Sequence, residues 1–168
     1  MNRRQLLLQS AAAAVVGTAF VSFGSRGAAF AAKSGKTFKV TKTVAEWKKL
    51  LTPKQFYVLR RHGTERPYTS PLLNEKRVGT YHCAGCDLPL YASSTKYDSG
   101  TGWPSFYEAL DGAVGTSVDR SFFMVRTEVH CARCGGHQGH VFNDGPAPTG
   151  KRHCINGVSL TFKPKSAA

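Results

Sequence analysis

Two short stretches, "HCAGCD" at 82–87 and "HCARCG" at 130–135, restrict this chain more than anything else in it. Each holds a Cys-x-x-Cys pair, Cys83 with Cys86 and Cys131 with Cys134. Each pair is followed by a turn-forming residue, Asp87 or Gly135. A Cys-x-x-Cys turn points two thiolates at one metal ion, and two such turns complete a tetrahedron of sulfur around zinc. Residues 87 to 130 separate the pairs, more than a compact zinc ribbon spans, so the ion would clip two distant hairpins of a larger sheet. Two disulfides are the alternative in an exported chain. A disulfide across a two-residue loop is strained, however, and matched knuckles favour metal. With all four positions taken by thiolate, such a zinc is structural and has no open position for catalysis.

The chain has five cysteines, so Cys154 is left over. It sits in "RHCIN". Read as a strand, this segment turns Arg152, Cys154 and Asn156 to one face and His153 and Ile155 to the other. A thiol beside a fixed cation ionises more readily, and the thiolate is the reactive form. Asn156 is suited to holding an oxygen. Beyond it Val158, Leu160 and Phe162 continue the same face as core, with Gly157 as a bulge where site gives way to core. On this segment alone an inert buried thiol, as most lone cysteines are, is slightly the better reading. Two other stretches bear on the choice. "CGGHQGHVFNDG" sets His137 and His140 in a glycine-rich turn, and histidines exchange protons near neutral pH. "DSGTGWPSF" holds Trp103 between Gly102 and Pro104, as a pocket wall or as core.

The rest of the chain supplies a frame. "MNRRQLLLQSAAAAVVGTAFVSFGSRGAAFAA" has a basic start, an apolar run and a small-x-small site at Ala29–Ala31. Residues 1–31 therefore read as a cleavable export signal, and Arg3–Arg4 resembles the twin-arginine kind. This implies a bacterial, periplasmic destination. Residues 32–42 read as a flexible lead-in, and 43–168 as one domain. Of the 23 Lys and Arg set against 10 Asp and Glu, only Arg3, Arg4 and Arg26 lie in the leader. The mature domain is thus basic in its own right. It lacks the interleaved basic and aromatic residues that track a nucleic-acid strand, and solvated surface explains the charge. No membrane span is expected once the leader is cut.

Thr43 with Glu46, and Thr52 with Gln55, form capping boxes. They predict two short helices, the second opened by Pro53 and ended by Gly63. Then "VGTYHC", "LPLY", "FFMVRTEVHC", "GHVFN" and "CINGVSLTF" read as strands. In "FFMVRTEV" the alternation puts Phe123, Val125 and Val129 on one face and Arg126 and Glu128 on the other. The frame is a mostly antiparallel β domain behind two helices.

In their order, "GTERPYTSPL", "GTYHCAGCDLPLY", "KYDSGTGWPSF", "VHCARCGGHQGHVFNDGP" and "RHCINGVSL" resemble the methionine-R-sulfoxide reductases of the B type, from about Glu46 to Lys163. The resemblance implies a mainly β fold of two small antiparallel sheets with N-terminal helices. It implies a structural zinc on Cys83, Cys86, Cys131 and Cys134, and Cys154 as nucleophile. It also implies Trp103 against the substrate methyl group. His137, His140 and Asn156 would hold the sulfoxide oxygen and supply protons, with Asp144 and Arg152 in support and Phe142 lining the pocket. The implied substrates are oxidised proteins carrying methionine R-sulfoxide, and the implied reductant is a small thiol or a thioredoxin-like partner. Many members carry a resolving cysteine where this chain has Thr101. A zinc-bearing binding module without chemistry, and a thiol–disulfide oxidoreductase built on the Cys-x-x-Cys pairs, are the other functions considered.

Overall fold

The computed structural model describes residues 37–166; the leader read over residues 1–31 lies outside the described residues. Both helices form where local chemistry asks for them. α1 is Val44–Leu50 and α2 is Pro53–Arg61. In each the N-cap threonine accepts from the backbone N–H three residues on, while the Glu46 or Gln55 side chain reaches back to the cap N–H. Each box satisfies two donors that a helix start otherwise leaves unpaired. α2 ends on His62 in the left-handed region (φ 53°), not on Gly63 as expected. Gly63 is needed for a different reason: a Cβ there would run into the Tyr57 ring. The left-handed conformation at His62 costs about 1 kcal/mol, and its imidazole bonds Glu128 at 2.9 Å.

The strands are β1 Gly79–Cys83, β2 Pro89–Ala92, β3 Lys96–Tyr97, β4 Ser105–Phe106, β5 Val114–Asp119, β6 Arg126–Cys131, β7 His137–Phe142, β8 Arg152–Ile155 and β9 Leu160–Pro164. They make two antiparallel sheets, a three-stranded one in the order β2-β1-β9 and a six-stranded one in the order β3-β4-β8-β7-β6-β5. The expected fold class is therefore the observed one. Aromatic rings fill the space between the sheets. Tyr91 of the small sheet stacks on Phe106 of the large one at 4.3 Å, and Tyr81 meets Phe106 edge-on at 5.0 Å. All three rings are fully buried, with Leu90, Val129 and Ile155 around them. Each such side chain contributes about 1.5–3 kcal/mol by leaving water.

Two expected strands are different in the structure. "FFMVRTEVHC" becomes strand only at Arg126, because Phe122 and Phe123 take left-handed backbone and turn the β5–β6 connection. Phe123 and Val125 are consequently exposed, and only Val129 of the expected apolar face is core. "CINGVSLTF" is two strands in two sheets. β8 stops at Ile155, a single 3-10 turn occupies Gly157–Ser159, and β9 crosses to the small sheet. Gly157 is no bulge; it packs so closely that a Cβ would overlap the Ser70 side chain. Of the lead-in read over 32–42, residues from 37 are described, and the Val40 N–H donates to the Arg133 carbonyl at 3.0 Å. No helix among the described residues is long and apolar enough to cross a membrane.

Candidate active site and four-thiol cluster

The two Cys-x-x-Cys turns have the same local geometry. Asp87 N–H donates to the Cys83 carbonyl at 2.8 Å, and Gly135 N–H to the Cys131 carbonyl at 2.9 Å. Asp87 and Gly135 are both left-handed, at φ 58° and 66°. One knuckle ends β1 in the small sheet, and the other joins β6 to β7 in the large one. All four Sγ atoms lie within 4.8 Å of one another. Cys83 and Cys134 are 3.7 Å apart, and Cys86 and Cys131 are 3.5 Å apart. A disulfide needs about 2.05 Å. A tetrahedron with zinc–sulfur bonds of about 2.3 Å has edges of about 3.8 Å. The spacing fits a metal, and no disulfide joins any of the four cysteines. The cluster closes one edge of the interface between the sheets.

Cys154 stands well away from this cluster, on β8 at the middle of the large sheet. The register builds a row across one face. Ser105 of β4 and His140 of β7 both pair with Cys154, Glu128 of β6 pairs with His140, and Ser117 of β5 pairs with Glu128. Directly opposed residues share a face, so thiol, imidazole and carboxylate line up in order. Gly139 permits this close pairing, since a Cβ there would strike the Cys154 carbonyl.

A cavity of about 130 Å³ opens over the row, lined by Thr64, Trp103, Arg126, Gly139, His140, Phe142, Cys154 and Asn156. It has the liquid volume of about four water molecules, enough for the head of a side chain. A larger cavity of about 680 Å³ beyond Glu65 has neither thiol nor imidazole in its lining. A third, of about 480 Å³, is lined by His62, His137 and His140 but no thiol; of these three, the 130 Å³ cavity alone brings thiol and imidazole together.

Of the residues singled out from sequence, Cys154, Trp103, His140, Phe142 and Asn156 meet at this cavity. His137 does not line it. Its ring sits behind His140 at 5.4 Å, 2% exposed, with Nδ1 on Glu128 at 2.7 Å. Its Nε2 is buried without a hydrogen-bond partner among the described residues. Asp144 and Arg152 stand beside the cavity as a bidentate pair, at 2.9 and 2.8 Å, and the guanidinium lies 4.4 Å from the centre of the Phe142 ring. The Asn156 amide is already engaged. Oδ1 accepts from the Glu65 N–H at 2.9 Å, and Nδ2 donates to the Gln138 carbonyl at 3.0 Å.

The Cys154 thiol departs from the simple expectation. Burial pushes it up, and this outweighs the opposing pull of the Thr101 hydroxyl and the Arg152 guanidinium. Thr101 Oγ1 lies 3.9 Å from its sulfur. Burial likewise pushes His140 down, against the Asp119 carboxylate that holds its Nε2 at 2.8 Å. Asp119 in turn takes Arg126 at 2.7 Å. Its carboxyl is held well below the ordinary range, first by Ser121.

Asp119, Glu128, Glu65 and Arg126 escaped the reading of the sequence. Glu128 and Arg126 stood on the face of β6 opposite its apolar one, and that face is the site. The one available signal was the acid two residues from a base on a strand that is otherwise core.

A two-sheet β protein with a four-thiol clip at the sheet interface, and a separate thiol facing histidine and tryptophan in a small cavity, is the class that fold and site define. The chain belongs to the SelR domain family, whose model matches residues 51–164. It is 56% identical over 127 residues to the peptide methionine sulfoxide reductase MsrB of Agrobacterium fabrum, covering 75% of this chain and 94% of that one. The protein of that name from Pseudomonas putida is 56% identical over 131 residues, 77% of this chain and 98% of its own. That from Methanosarcina barkeri is 58% identical over 125 residues, 74% and 88%.

Proposed function

We propose that this protein reduces methionine R-sulfoxide in oxidised proteins to methionine, with Cys154 as the nucleophile. One observation carries the reading: the single thiol outside the four-thiol cluster faces His140 across the sheet, in a cavity walled by Trp103. A sulfoxide sulfur accepts a nucleophile only when its oxygen is protonated or strongly hydrogen-bonded. The sulfur of Cys154 attacks it as the thiol proton is relayed through an imidazole to the oxygen, so a sulfur–sulfur bond forms and the S=O becomes S–OH. The hydroxyl then passes to the Cys154 sulfur as the S–O and S–S bonds to the substrate break, methionine leaves, and Cys154 becomes a sulfenic acid. The sulfoxide has gained two electrons and the cysteine has lost them. His140 is the imidazole at the cavity. His137, fixed by Glu128, stands behind it, and Phe142 and the Arg152–Asp144 pair wall the approach. The R epimer is the one whose methyl lies on Trp103 while its oxygen faces His140.

Zinc on Cys83, Cys86, Cys131 and Cys134 would join the two sheets and so hold the site's frame. It takes no part in the transfer. Regeneration uses two external thiols, from a small thiol or a thioredoxin-like partner. The first displaces water from the sulfenic acid to give a mixed disulfide, and the second releases Cys154. The leader supports export by the twin-arginine route to the periplasm.

Cys154→Ser tests the reading on separated R and S sulfoxides. It is expected to keep its fold and one zinc per chain and to reduce neither epimer, whereas wild type reduces R only. Appreciable turnover by the variant would remove Cys154 from the mechanism.

A further inference from the structure

One residue outside the catalytic row touches two of the residues that line the cavity and the turn that follows β8. The Glu65 carbonyl accepts the indole N–H of Trp103 at 3.1 Å. Its own N–H donates to Asn156 Oδ1 at 2.9 Å. Its carboxylate accepts the N–H of Gly157 through Oε1 and that of Val158 through Oε2, the latter at 3.1 Å. Those last two groups open the 3-10 turn that ends β8. At the start of such a turn backbone N–H groups lack internal partners, and a carboxylate satisfies two of them with charge-assisted bonds.

The consequence is geometric. Trp103 lies in the connection before β4, and Cys154 and Asn156 lie on and just beyond β8. Nothing in the sheet register fixes an indole ring that sits off the end of a two-residue strand. Glu65 does so, through the ring on one side and through residues 156–158 on the other. We propose that Glu65 is a positioning residue for the reductase reaction, a clamp that sets the spacing between the Trp103 wall and the β8 end that carries Cys154. The inference rests on the reductase reading for its kinetic consequence but not for its geometry. Glu65 touches no reacting atom. It acts through the wall against which the substrate methyl is placed, so its loss weakens substrate binding, and with it KM, more than the chemical step. Burial pushes its carboxyl up, against the pull of the two N–H groups. A surface glutamate with no role in the frame has no reason to be held this way.

Glu65→Gln keeps the length of the side chain but turns an NH2 toward one of the two N–H donors. In the intact protein the expected result is a KM for an R-sulfoxide peptide raised roughly tenfold, with kcat within about twofold of wild type. Incorporating 5-fluorotryptophan gives a second readout that needs no turnover. The chain has two tryptophans, and Trp47 is buried in the core away from the cavity. The Trp103 fluorine resonance, assigned with Trp103→Phe, should shift or broaden in Glu65→Gln while that of Trp47 stays put. This spectrum reads the clamp even in a protein that reduces nothing, which separates failure of the clamp from failure of the activity. Where Glu65→Gln does not fold, replacing Trp103 by its benzothienyl isostere removes the N–H and leaves Glu65 and the ring shape intact. The same rise in KM is then expected. An unchanged KM with an unmoved Trp103 resonance in Glu65→Gln, or an isostere that binds substrate like wild type, overturns the proposal.

Discussion

Replacing Glu128 by glutamine keeps the shape of the buried acid and removes its charge, and the bonds that the acid makes set the size of the effect. Glu128 is 9% exposed. It accepts His137 Nδ1 at 2.7 Å and His62 Nδ1 at 2.9 Å on one oxygen, and the Ser117 hydroxyl at 2.5 Å on the other. A hydrogen bond to a charged group contributes about 1.5–3 kcal/mol, against about 0.5–1.5 for a neutral one. The buried His137 bond therefore loses about 1 kcal/mol. The His62 and Ser117 bonds lose only a few tenths each, about 0.3 kcal/mol, because both partners are exposed, the His62 ring 66%, and solvent screens them. An amide is easier to bury than a carboxylate, which returns part of the loss. The net destabilisation is about 1 kcal/mol, or about 4 °C in the unfolding midpoint of a domain this size.

The pH dependence is the sharper test. Burial alone would raise the Glu128 carboxyl, but bonds from His137, His62 and Ser117 hold it well below its ordinary 4.5. A depressed carboxyl contributes stability in full above that ordinary value, and loses it as pH falls toward the folded one. His62 is raised from its ordinary 6.5, chiefly by its bond to Glu128. Its contribution is full below 6.5 and is lost as pH rises through the raised value. The gap in midpoint between wild type and Glu128→Gln should thus be widest between pH 4.5 and 6.5 and shrink on both sides. Near-ultraviolet circular dichroism of thermal unfolding from pH 4 to 9 measures it. Acid weakening of the thiolate cluster is common to both proteins and cancels in the difference. A gap that is flat across the range, or wider at pH 8 than at pH 5.5, refutes the argument.

How far the fold was legible depends on how local each signal is. The two helices announce themselves within four residues, through Thr43–Glu46 and Thr52–Gln55, and both form as read. Cys83, Cys86, Cys131 and Cys134 were legible because each pair is a complete local motif, and only its joining to the other needs the fold. The break in "CINGVSLTF" was hidden. Val158, Leu160 and Phe162 keep the alternation of Arg152, Cys154 and Asn156, yet a turn at Gly157–Ser159 hands the chain to the other sheet. Period-two alternation reports a face, not which sheet the face belongs to. β3, β4 and β5 were missed because "KY" and "SF" are too short to show a period, and "VGTSVD" is too polar to look buried.

The site divides the same way. Cys154, Trp103 and the two histidines stand in distinctive segments, and chemistry picks them out. Asp119, Glu128 and Glu65 are ordinary acids in ordinary surroundings. Each matters only through a partner 9 to 92 positions away in the chain. The register that brings Glu128 opposite His140 is set by the β6–β7 knuckle and by the shift between Val129 and His130. No window of sequence contains that information.

Three further outcomes are expected. Asp119→Asn removes the charge that orients His140, and kcat should fall by roughly tenfold or more with KM little changed, read by steady-state assay on an R-sulfoxide peptide. Arg3→Lys together with Arg4→Lys should leave the precursor inside the cell with its leader attached, as fractionation and N-terminal sequencing report; unhindered export would replace the twin-arginine reading by an ordinary secretory signal. The last concerns the recycling step. The chain has five cysteines, four lie in the cluster, and so none remains near Cys154 to resolve its sulfenic acid. Thr101 Oγ1 is the nearby side-chain atom, 3.9 Å from the Cys154 sulfur, and a disulfide needs about 2.05 Å. Thr101→Cys therefore puts a thiol where a modest shift of the loop closes the bond. After one turnover without reductant, wild type should gain one oxygen or one dimedone adduct and keep its zinc. Thr101→Cys should instead lose two hydrogens, with Cys154 joined to the new residue. Mass spectrometry with peptide mapping distinguishes the two. Finding wild-type Cys154 linked to Cys83, Cys86, Cys131 or Cys134, with zinc released, would make the cluster part of the redox cycle and overturn its assignment as a purely structural clip.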